Sequence, residues 1–112
     1  MWTRFVDETG TPAQVGTEGG TIVVDEEHAL GARITLEQDG VIAPFAITCG
    51  IYGWIVHTRF FASRDDARHA YEAMKPELGT ILEAIPLKSD PEVDDKSARI
   101  SDAISDFVTR FP

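Results

Sequence analysis

Two short stretches hold the residue types that chemistry would need. In "DEEH", residues 25–28, Glu26 and His28 stand two apart and so share one face of an extended strand. In "TCGIYGWIVHTRFF", residues 48–61, Cys49, Tyr52, Trp54 and His57 fall within one apolar run. Two histidines and a carboxylate form a donor set for zinc or iron, and Glu26 or Glu27 with His57 is the pair best suited to proton transfer. The metal site needs His57 on the face that carries Glu26 and His28, and the strand register derived below puts His28 and His57 on opposite faces. None of the 19 carboxylates is singled out by apolar neighbours of the kind that raise a pKa. We therefore assign no catalytic residue, no metal ligand and no cofactor.

Other motifs are excluded by their parts. "GTEGGT", residues 16–21, has glycines but no Lys-Ser/Thr ending, and it leads into a strand instead of opening a helix, so it is not a phosphate-binding loop. There is no Gly-x-Ser-x-Gly elbow. Cys49 is the only cysteine, which rules out an internal disulfide and a thiolate zinc cage. Nucleophilic cysteines sit beside a positive partner or a helix start, and Cys49 reads as a core residue.

The elements that hold these residues follow from length, charge and periodicity. With 112 residues the chain suits one domain, 1–112, with one modest core. A net charge of -9 disfavours nucleic acid and anionic lipid, because both are bound through clustered Lys and Arg. No apolar run approaches the roughly 18 residues of a membrane span, and the first residues lack a leader pattern, so a cytoplasmic location is the expectation.

"WTRFV" reads as a first strand, followed by a turn-rich loop, "DETGTPAQVGTEGG". "TIVVDEEH" and "GARITLEQDG" read as strands, the second alternating Ala32, Ile34 and Leu36 with Arg33, Thr35 and Glu37. From Ser63, an N-cap, the period changes to helical: Ala67, Ala70, Tyr71, Met74, Leu78, Ile81 and Leu82 form one stripe, with a kink or break expected at Pro76. Asp90 and Pro91 look like the N-cap and first residue of a last helix, with Val93, Ile100, Ile104, Phe107 and Phe111 on its apolar side. Strands within 1–62 and helices within 63–112 imply an α+β fold: a mostly antiparallel sheet of four or five strands with two or three C-terminal helices on one face.

The hairpin in residues 45–61 sets every face assignment. With Tyr52-Gly53 as a two-residue turn, Ile51 faces Trp54, Cys49 faces Val56, Ile47 faces Thr58 and Phe45 faces Phe60, giving an apolar side for the helices to cover. His57 then joins Asp25, Glu27, Arg33, Thr35 and Glu37 on a mixed-charge outer face, with Arg59 nearby and Ile55 and Phe61 as unexplained large apolar groups. Tyr52 is a poor residue for the positive φ of such a turn, which leaves a wider loop including Gly50 as an alternative that could swap the faces.

These features lead us to expect a non-catalytic binding or protein-interaction module that forms a homodimer. Tyr52, Trp54, Ile55, His57, Arg59 and Phe61 are its candidate ligand or interface residues. The first alternative is a small enzyme or metabolite-binding protein with a pocket between sheet and helices, using His57, Tyr52 or Trp54. The second is an acidic inhibitor that meets a basic partner through Asp90, Glu92, Asp94, Asp95, Asp102 and Asp106.

Overall fold

Alternating side chains in the first half of the chain build a sheet, and two apolar helical stripes in the second half cover one side of it. The computed structural model describes residues 1–6, 9–10 and 14–112. Five strands, β1 (Trp2–Arg4), β2 (Thr21–His28), β3 (Ala32–Gln38), β4 (Phe45–Ile51) and β5 (Ile55–Phe61), are followed by α1 (Arg64–Ala84) and α2 (Val93–Arg110). The strands pair in sequence order, each antiparallel to the one before, so β1 and β5 are the two edges. This is the expected α+β arrangement, with five strands and two helices. Part of the expected loop, Asp7, Glu8 and residues 11–13, lies outside the described residues.

The core sits between the sheet and α1. Ala32, Ile34 and Leu36 of β3 and Ile47, Cys49 and Ile51 of β4 meet Ala67, Tyr71, Met74, Leu78, Ile81 and Leu82 of α1, with Ile100 and Phe107 of α2 behind them. Burying each large aliphatic side chain contributes about 1.5–3 kcal/mol, which is what holds the two layers together. Ser63 caps α1, its hydroxyl accepting from the Asp66 amide at 3.2 Å. Asp65 and Asp66 add favourable charge at the positive helix end.

Three expectations are corrected. First, of the kink or break expected at Pro76 the break does not occur: α1 is one helix through that residue. Pro76 lies on the solvent side of the helix, and so does Glu72, whose carbonyl loses its usual donor. Second, α2 begins at Val93 with Glu92 at its cap. Asp90 shapes the turn before it, accepting from the Glu92 amide at 2.8 Å and from Lys96 Nζ at 2.7 Å.

The third correction is the hairpin. Tyr52, Gly53 and Trp54 form a three-residue connection in which the Trp54 amide donates to the Ile51 carbonyl at 2.9 Å. A two-residue turn would have forced positive φ on Tyr52, whereas here only Gly53 takes it, at +82°. The extra residue slides β5 by one: Ile51 faces Ile55, Cys49 faces His57, Ile47 faces Arg59 and Phe45 faces Phe61. A slip of one residue inverts the parity of the whole strand. Ile55, His57, Arg59 and Phe61 therefore belong to the helix side, and Val56, Thr58 and Phe60 to the outer face.

Candidate functional site

The outer face of the sheet carries a groove of about 740 Å³ at the β4–β5 hairpin. Its floor is the centre of the sheet, where side chains are short: Thr35, Thr48 and Gly50. A Cβ on Gly50 would stand 3.2 Å from the Ile55 carbonyl oxygen, so the strand backbone itself forms a flat patch there. One wall is the loop residues Val15 and Thr17, and the other is Tyr52, Trp54 and Val56.

The loop wall is set by a buried anion from the chain itself. Glu37 points to the outer face yet is 0% exposed, because residues 16–20 fold over it. Its carboxylate accepts from the Gly20 amide at 2.9 Å and from the Glu18 amide at 3.2 Å. Those donors offset the desolvation that burying a carboxylate entails. The glycines are needed for closeness: a Cβ at Gly16 would lie 2.1 Å from Glu37 Oε2, and one at Gly20 would lie 2.5 Å from the Gln38 carbonyl oxygen. "GTEGGT" thus does cradle an anion, the chain's own.

The polar groups of the groove are mostly tied to one another. The hydroxyl of Thr48 lies 3.1 Å from that of Thr17 and 3.2 Å from that of Thr58. Among the described residues Arg33 is the one charged side chain in the lining, and its Nε and Nη2 donate to the two carboxylate oxygens of Asp25 at 2.9 and 2.7 Å. That hydrogen bonding raises the pKa of Arg33 against the opposing effect of desolvation, so the guanidinium stays charged while Asp25 balances it. Tyr52 closes the rim by donating its hydroxyl to Glu27 at 2.9 Å.

Of the candidates picked out by sequence, Tyr52 and Trp54 stand at the groove. Ile55 lines it beside them, although the paired register sends its side chain to the helix side. The other three leave it. His57 packs edge-on against Phe107, with Nε2 2.5 Å from the Phe111 carbonyl oxygen. Arg59 donates to the Pro112 carbonyl oxygen at 3.1 Å, and its guanidinium lies over Phe61, 4.9 Å from the ring centre. Desolvation lowers its pKa.

Cys49 is buried, and desolvation pushes its thiol up to about 12 against the nearby positive charge of Arg59, which makes it a core group and not a nucleophile. His28 and His57 do share a face, contrary to expectation, but they lie on β2 and β5. Three strand spacings separate those strands, about 14 Å. Among the described residues no group of three His, Cys, Asp or Glu side chains could hold a metal ion. Nor is any helix among them long and apolar enough to cross a membrane.

Glu26, the other member of the predicted site, ties the sheet to α1. It accepts from the Tyr71 hydroxyl at 2.7 Å and pairs with Lys75 at 2.9 Å. Desolvation raises its pKa, but the hydrogen bonds from Tyr71 and Lys75 and the Lys75 charge together carry it below the ordinary value.

No family model matches the chain, and no curated protein and no solved structure is significantly similar to it. The site therefore rests on its own residues. Sequence reasoning missed Val15, Thr48, Gly50 and Val56. The signal that marks most of them is an absence of charge of one sign: from Gly40 to Arg64 there is no Asp or Glu, in a chain that has 19.

Proposed function

We propose that this chain is a non-catalytic binding module whose outer-face groove takes a small, planar, largely apolar molecule without net positive charge. One observation carries the reading: among the described residues that line the groove there is no carboxylate, although the chain bears a net charge of -9. Among the described lining residues a cation would find no carboxylate, and the guanidinium of Arg33 is already balanced by Asp25. The flat backbone at Gly50 and the aromatic rings of Tyr52 and Trp54 suit a ring system that stacks on them. The volume falls within the usual range for small-molecule sites, and a mostly apolar wall with a few fixed hydroxyls is their common composition.

Binding, and not turnover, is supported by how the reactive groups are used. His57 and Glu26 are engaged on the helix side, and the thiol of Cys49 stays protonated.

The test is titration with Nile red, a neutral planar probe, alongside native mass spectrometry of the freshly purified protein. We expect saturable dye fluorescence, and a retained mass that is lost on denaturation. Gly50→Val plants a branched side chain on the floor, and Val15→Asp puts a charge on an exposed lip residue. Each should weaken dye binding by roughly tenfold or more, equivalent to about 1.4 kcal/mol. Unchanged affinity in both variants, with folding confirmed by circular dichroism, would remove the groove from consideration.

A further inference from the structure

The two edges of the sheet are built differently. β1 offers three residues, whereas β5 offers seven, with no proline, no bulge in its pairing and no carboxylate. Among the described residues β5 pairs only with β4. Natural edges of that length are ordinarily guarded by charges, prolines, bulges or a covering segment. On β5 the two basic groups, His57 and Arg59, point to the helix side and bond the carbonyls of residues 111 and 112. The outer side shows Val56, 79% exposed, and Phe60, 43% exposed.

We infer that two copies of this chain join along their β5 edges, antiparallel about a two-fold at Thr58. Phe60 of each copy then stands against Val56 of the other and extends the open wall of that copy's groove. The choice of a second copy follows from charge and symmetry. Two molecules at -9 each repel over most of their surfaces, and the segment from Gly40 to Arg64 is where they can approach without facing carboxylates. A two-fold perpendicular to the sheet keeps the outer faces together, and opposite residues must then have the same parity. Centring on Thr58 uses all seven residues: Ile55 against Phe61, Val56 against Phe60 and His57 against Arg59, each pair occurring twice. The seam is about 24 Å long. That lies at the small end of protein interfaces, so association depends on concentration in the micromolar range.

The pairing stands without any ligand; only the shared wall rests on the groove reading above. Sedimentation velocity of the intact chain over about 5–500 µM should show monomer converting to dimer. Phe60→Lys places a charge in the seam outside the monomer's own groove lining and should abolish the dimer while the circular dichroism spectrum stays the same. Thr58→Cys, oxidised with diamide, should yield a covalent dimer, because directly opposite strand residues fall within disulfide reach. Leu87→Cys, on a remote exposed site, should not. A wild-type chain that stays monomeric at the highest concentration overturns the pairing, as does a dimer that Phe60→Lys leaves intact and Thr58→Cys does not cross-link. Nile red should bind Phe60→Lys about threefold more weakly than the wild-type dimer. Equal affinity overturns the shared wall. Absence of dye binding in a chain that still dimerises strikes the groove reading and leaves the pairing supported.

Discussion

The two faces of the sheet use the same strands to opposite ends. On the helix side Ile34, Leu36, Ile47, Cys49 and Ile51 are closed off almost completely, and even the charged groups there are tied down, Glu26 by Tyr71 and Lys75 and Arg59 by the Pro112 carbonyl. On the outer side the central residues are Thr35, Thr48, Thr58 and Gly50, small or hydroxylated, with a loop held over one end by Glu37. One face is filled by side chains from another layer. The other is left shallow, its hydroxyls satisfied by one another and by the Thr48 carbonyl, so that it can be stable without being covered. Stability should therefore reside mainly in the first face and recognition in the second.

Substitutions test that division most severely on the helix side. Phe107→Ala removes the largest fully buried side chain, the one through which α2 docks and on which His57 packs. We expect a loss of about 3–5 kcal/mol in urea unfolding. A loss under 1 kcal/mol would mean that α2 contributes little to the core.

The outer face has one residue that should behave as if it belonged to the other side. Glu37→Ala strands the Glu18 and Gly20 amides and should cost about 1–3 kcal/mol. Amide exchange should quicken at residues 16–20 far more than in α1. If exchange there is unaltered, the loop does not owe its position to the carboxylate.

The smallest expected effect concerns acid. Glu26 has a folded pKa below its ordinary 4.5, so its contribution is present above that value and is lost as pH falls through the lower folded one. Comparing wild type with Glu26→Gln between about pH 5 and pH 3 isolates it: the wild type should lose more stability over that interval. Parallel pH curves would show that the tie to Tyr71 and Lys75 has no net electrostatic value.

Much of the fold was legible in the sequence because periodicity acts locally. The alternation of Ala32, Ile34 and Leu36 gives the residues that β3 turns to the helices, the stripe from Ala67 to Leu82 gives the buried side of α1, and Ser63 caps the helix it was expected to cap. The alternation does not foresee the burial of Thr35 and Glu37 on the other face. The site was read less well, for one physical reason. A strand's pattern of side chains fixes which residues go together, but the turn decides which way they face. "IVHTRFF" is apolar on both parities, so nothing within it chooses. Tyr52 carried the information, through its reluctance to take positive φ. Once the turn widens to three residues, His57, Arg59, Ile55 and Phe61 move as a unit from the face where a site was sought to the face that is packed. Tyr52 and Trp54 lie at the tip, beyond the slip, and kept their place at the groove.

The strand order also has a consequence for how the chain comes off the ribosome. Every strand pairs with the one made just before it, and from β2 onward the connections are short, so each of those hairpins can close as soon as its second arm emerges. The helices come last. Until residues 64–84 are made, the nascent sheet carries its apolar side bare, and the side that later holds the groove is the one already fit for water.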